Sequence, residues 1–88
     1  MSLISSGQQT VGLTAVAIDG VSTNPYRLHL HNNDNTKNLY VGNSNVTTSN
    51  GLKLDGGMIL EFVVSPNSQL YVVSDSGSHQ ISWLRIDV

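Results

Sequence analysis

The chain predicts an all-β fold, a small antiparallel β-sandwich or jelly-roll-like barrel of six to eight short strands, and three observations carry that prediction. Apolar residues alternate with polar ones at a period of two instead of recurring at helical spacing. Turn signals separate the alternating runs: Asp19–Gly20, Asn50–Gly51, Asp55–Gly56–Gly57, Ser65–Pro66–Asn67–Ser68 and Asp75–Ser76–Gly77–Ser78. Finally, 88 residues make one domain. A chain of this size buries only about 60–65% of the surface its unfolded form exposes, so its core must be compact.

Taken in order, residues 1–10 (MSLISSGQQT) are expected as a flexible N-terminal segment and 11–88 as a single sandwich domain. The first firm strand is expected over Gly12 to Ile18, where both faces are partly apolar and both are expected to be covered. Pro25 keeps the Val21–Pro25 stretch out of any central strand. From Tyr26 the alternation is clean, with Tyr26, Leu28 and Leu30 toward the core and Arg27, His29 and His31 on a polar face. Asn32 to Asn38 makes a hairpin loop, and Leu39 to Gly42 returns with Leu39 and Val41 inward. The segment from Asn43 to Gly57 is long for a loop in so small a domain and is expected to be pinned by Val46, Leu52 and Leu54.

Met58 to Val64 follows with Met58, Leu60, Phe62 and Val64 on one face and Ile59, Glu61 and Val63 on the other. In Gln69 to Ser74, Leu70 and Val72 oppose Tyr71 and Val73. In the last strand the even set, Leu84, Ile86 and Val88, is expected in the core. The odd set, Ile81, Trp83, Arg85 and Asp87, mixes an aromatic with charges and is expected at the surface.

Composition narrows the function classes. Four Lys/Arg against six Asp/Glu give a net charge of −2, and the basic residues are scattered, so no electrostatic footprint for nucleic acid is present. No cysteine is present to build a disulfide framework or a thiolate metal site. Neither a basic segment leading into an apolar stretch nor a run of ~18 apolar residues occurs, so a cleaved signal and a membrane span are not expected.

The sharpest chemical candidate is His29–Leu30–His31, because alternate strand residues share a face and two imidazoles can chelate a metal, with Asp34 or His79 as a third ligand. The spacing is similar to the HxH of cupin metal sites, but the downstream Glu and second His motif are missing. Two polar histidines on a solvent or interface face is the favoured reading, and no metal or other cofactor is expected. Twelve serines, three histidines and five aspartates do not make a triad without a G-x-S-x-G elbow. Glycoside chemistry would need Glu61 and an Asp facing each other across a cleft, which a chain this short has little material to build, and Asn32–Asn35 lacks the spacing of a calcium loop. An enzyme is not expected. The remaining functional material is exposed aromatic and aliphatic surface: Trp83, Tyr71, Tyr40 and Ile81 are the expected partner-binding residues, flanked by Val63 and Val73.

The pattern of Tyr26–Arg27–Leu28–His29–Leu30–His31–Asn32, then LYVGNSNVTTSNGLKLDGGMILEF, then LYVVSDSGSHQISWLRI, resembles small β-rich virion proteins of tailed bacteriophages, in particular head decoration (cement) proteins. That resemblance, over residues 10–88, implies a structural protein made in the host cytoplasm. Many copies, as a homo-oligomer, would bind the major capsid protein on the capsid exterior and brace the shell. The alternative from another class is a tail- or fibre-associated carbohydrate-binding or host-adhesion module.

Overall fold

The structure, a computed structural model, describes residues 4–18 and 23–87. Eight strands run in the order β1 (Ile4–Val11), β2 (Val16–Ala17), β3 (Tyr26–Asn32), β4 (Leu39–Gly42), β5 (Leu52–Leu54), β6 (Ile59–Val64), β7 (Tyr71–Ser74) and β8 (His79–Asp87). They form two four-stranded sheets, β1-β8-β3-β6 and β2-β7-β4-β5, and every pairing is antiparallel. The chain switches sheets at every connection except β4 to β5, which is the order of a jelly roll. The expected all-β sandwich is therefore the fold observed.

Alternation places the core. Leu28, Leu30 and Tyr26 from β3 meet Leu39 and Val41 from β4, Val72 from β7 and Leu54 from β5, all buried in one cluster. Leu60, Phe62 and Trp83 pack against that cluster from β6 and β8. The Asp55–Gly57 turn forms as expected, with the Met58 N–H donating to the Asp55 carbonyl at 3.1 Å and Gly57 at φ +78°, a conformation that costs glycine nothing.

The largest departure is at the N-terminal end. Ile4–Val11 is a full strand, paired with β8 from Ile4↔Ile86 to Val11↔His79, where the sequence suggests a flexible segment. Residues 1–3 lie outside the described residues. Ser, Gln and Thr supply little apolar content, so neither propensity nor pattern signals this strand; the backbone ladder to β8 orders it instead. The expected Gly12–Ile18 strand shrinks to Val16–Ala17, because Gly12–Ala15 turns the corner between sheets. There the Gly12 carbonyl accepts the Ser74 N–H at 2.9 Å, and Leu13 is left exposed.

The second departure is the inward face of β8. Ile81 is fully buried and Leu84 is exposed, so the odd set faces the core and the even set does not. The charges that argued for the opposite are accommodated within the sandwich. Arg85 Nε bonds Asp87 Oδ1 at 2.9 Å, and the Arg85 guanidinium lies 4.1 Å from the centroid of the buried Tyr26 ring, where a cation–π contact offsets its desolvation. Smaller departures follow the same logic of edges and covers. Leu52 and Met58 are exposed, leaving Val46 and Leu54 to pin the 43–57 segment, while Val73 is buried. The expected Asp19–Gly20 turn and Val88 lie outside the described residues.

Candidate interaction surface

The outer face of the β1-β8-β3-β6 sheet gathers exposed apolar residues from β1, β8 and β6, and the polar residues of β3, into ordered rows. By register, one row reads Ile4, Ile86, Arg27, Val63; the next Ser6, Leu84, His29, Glu61; the third Gln8, Ser82, His31, Ile59. Ile4, Val63, Ile59 and Leu84 are all exposed. Aliphatic side chains thus frame a polar centre on a single pleated surface, the arrangement of an apolar patch with embedded charge that marks interaction sites.

The polar centre is ordered by cross-strand contacts. Glu61, whose strand partner is His29, places Oε2 at 3.0 Å from His29 Nε2. His29 Nδ1 is buried with no hydrogen-bond partner. His31 Nδ1 lies 2.6 Å from Asn33 Oδ1, and Asn33 Nδ2 donates to Ser82 Oγ at 2.7 Å. The two histidines share a face, as the alternation requires, but the suggested third ligands do not join them. His79 lies on the inner face, and Asp34 Oδ1 accepts the Thr36 hydroxyl and amide at 2.7 and 2.9 Å. The Thr36 hydroxyl bond, followed by its amide bond, holds the Asp34 carboxyl below the usual carboxylate range. Among the described residues no group of three His, Cys, Asp or Glu is placed to hold a metal ion.

The four partner-binding candidates from the sequence are not brought together. Ile81 belongs to the core. Trp83 faces inward and lies across Gly7, where an added Cβ would sit 2.8 Å from Trp83 Cζ2, so the indole packs against the core at the sheet margin. Tyr40 and Tyr71 are half-buried on β4 and β7 of the other sheet. There the 43–51 segment folds against Tyr40: Cβ atoms added at Gly42 and Gly51 would lie 2.9 and 2.8 Å from Val46 Cγ2, and the one at Gly51 2.7 Å from Tyr40 Cβ. Aromatic identity suggested a surface role, whereas the aliphatic residues of β6 and β8 occupy the exposed face. Their signal was available in the odd positions of Ile59–Val63; in β8 it was hidden by the inverted face.

The structure also reveals a buried polar chain. Asn32 Nδ2 donates to the Lys37 and Leu54 carbonyls at 2.8 and 3.2 Å, which fixes the amide orientation and turns Oδ1 toward His79 Nε2 at 2.5 Å. That nitrogen therefore carries the proton, and His79 Nδ1 accepts from the Ser74 hydroxyl at 2.7 Å. Ser74 Oγ in turn accepts the Ser76 N–H at 3.0 Å. Burial pushes the His79 imidazole below its ordinary value of 6.5. A Ser–His–Asn sequence of contacts resembles a hydrolytic relay on paper, yet all three residues are at most 1% exposed. The network joins β3, β7 and β8, and so ties the sheets together at one end. No pocket is found among the described residues.

Comparison with protein-family models and with curated proteins gives no match. Among solved structures, the fold is similar to that of a Bacillus endospore appendage protein from a family of disulfide-linked pili, with a TM-score of 0.66 and 16% identity. The match covers 99% of this chain and 85% of that one. At that identity the likeness is one of fold, and with no cysteine in its 88 residues this chain has no disulfide link of its own to offer.

Proposed function

We propose that this chain is a structural virion protein, binding the outer surface of an assembled phage capsid through the outer face of the β1-β8-β3-β6 sheet. The observation that carries the reading is that face: Ile4, Ile59, Val63 and Leu84 exposed around the His29–Glu61 pair. A flat, mixed surface of this kind suits a protein lattice, which is met by exposed apolar area and ordered polar groups in place of a concave cleft. Each copy bridging neighbouring capsid subunits stabilises the expanded shell by mass action, because it binds the lattice and not its separated parts. The likeness to a pilus protein supports the reading only in that the same fold occurs in another repeated assembly.

The test is co-sedimentation of the purified protein with capsids from which it has been stripped, beside free capsid subunits. Binding to the lattice alone is expected, and Leu84→Glu, at the centre of the face, should weaken it by at least tenfold while leaving the melting temperature within a few degrees. Failure of the wild-type protein to bind the lattice overturns the reading and turns attention to a glycan-binding module.

A further inference from the structure

We infer that copies of this chain associate side by side, with β6 of one copy pairing antiparallel with β1 of the next to extend the β1-β8-β3-β6 sheet. The contact is independent of any capsid and rests on the two free edges of that sheet. No strand among the described residues pairs with the outer side of β1 or β6.

Direction comes first. Each neighbouring pair in the sheet is antiparallel, so across four strands β6 runs opposite to β1. An identical copy placed alongside, without being turned over, therefore continues the antiparallel order and keeps the same face outward.

Side chains then select the register. Ile4 and Val63 are 71% and 72% exposed, the most exposed large hydrophobics described, and they stand at opposite ends of one row. Setting Val63 against Ile4 of the next copy buries each on the other and places Glu61 opposite Ser6 and Ile59 opposite Gln8, with no like charges facing.

A two-fold contact through β6 is disfavoured by the same arithmetic. Pairing β6 with itself so that Val63 meets Ile59 puts Glu61 directly opposite its own copy. The edges are also unguarded: β1 contains no charged residue or proline and keeps an unbroken register over eight residues. β6 contains one charge and no proline. The other sheet ends in strands of two and three residues, the latter containing Lys53, which is how proteins ordinarily blunt an edge. Because the two surfaces in contact differ, the association is heterologous and adds copies in a row or ring.

The test uses analytical ultracentrifugation of the whole chain over a wide concentration range, with Ile4→Lys and Val63→Lys variants and their equimolar mixture. The wild-type protein is expected to form species larger than a dimer as concentration rises, and each variant alone to stay monomeric. The mixture should give a one-to-one complex that grows no further, since the intact β6 of one variant meets the intact β1 of the other and both remaining edges are blocked. A wild-type protein that stays monomeric at its highest soluble concentration overturns the inference, as does self-association by either variant alone or a mixture that stays monomeric. Both positions are exposed, so the variants should fold, which circular dichroism checks; Ile59→Lys supplies a second block of the β6 edge.

Discussion

Replacing Asn32 by Leu removes the amide at the centre of the buried network while keeping its branched shape in a somewhat larger side chain. Asn32 makes four hydrogen bonds, to the Lys37 and Leu54 carbonyls, the Asp34 amide and His79. The Asp34 amide and Lys37 carbonyl bonds are only partly buried, so those groups can turn to water. The Leu54 carbonyl and His79 Nε2–H cannot, and each buried group left unpaired costs about 1–3 kcal/mol. The substitution should therefore destabilise the fold by about 2–6 kcal/mol, a large share of the roughly 4–13 kcal/mol typical of a domain this size. The melting temperature should fall by about 10–30 °C. Urea unfolding at neutral pH reads the effect as a lower midpoint at unchanged slope. A double-mutant cycle with His79→Leu should return coupling of about 1 kcal/mol or more, because each change strands the other's partner. A loss under about 0.5 kcal/mol in the single variant would refute the reasoning.

Stability should hold above about pH 6.5 and fall below it, with a maximum His79 contribution of about 1.4 kcal/mol per pH unit. The sign follows from the buried His79, whose lowered pKa leaves the native state neutral while the unfolded chain takes up a proton. Urea midpoints of the wild-type protein and His79→Gln across that range test it: the variant's profile should be flatter. Gly7→Ala should cost about 1–3 kcal/mol by driving a methyl group into Trp83, and should shift the emission of this single tryptophan; an unmoved melt and spectrum would place the indole elsewhere. Arg85→Met keeps the stem but removes the Asp87 bond and the Tyr26 contact, and thermal melts should register a loss of about 1–2 kcal/mol.

Strands that carry their own apolar face were legible. β3 shows buried Tyr26, Leu28 and Leu30 between outward Arg27, His29 and His31, and β4, the inward residues of β6, and the turn at Asp55–Gly57 follow the same local chemistry. β1 was not legible, because Ser5, Gln8 and Thr10 are held by a partner strand seventy or more residues away in sequence, and no local pattern encodes such a partner. The face of β8 was misjudged because charge is a poor guide where a neutralising pair forms within the strand. Arg85 and Asp87 satisfy each other, so Ile81 and Trp83 can face the core beside them. That inversion replaced two of the expected surface residues, Ile81 and Trp83, with Leu84 and Ile86.

The position of β8 between β1 and β3 has a consequence for how the molecule is made. The last strand of the described chain fills the middle of its sheet, so β1 has no partner and β3 only one until β8 has left the ribosome. β1 precedes the other described strands in synthesis, yet it is among the last of them to be fixed. Completion of this sheet must wait for β8 and then for closure of the longest loop among the described strands, from β1 to β8, a step whose entropy makes such topologies slow. During that interval the Ile4–Val11 segment is unpaired, and with no charged residue or proline to guard it its edge is open to other nascent chains.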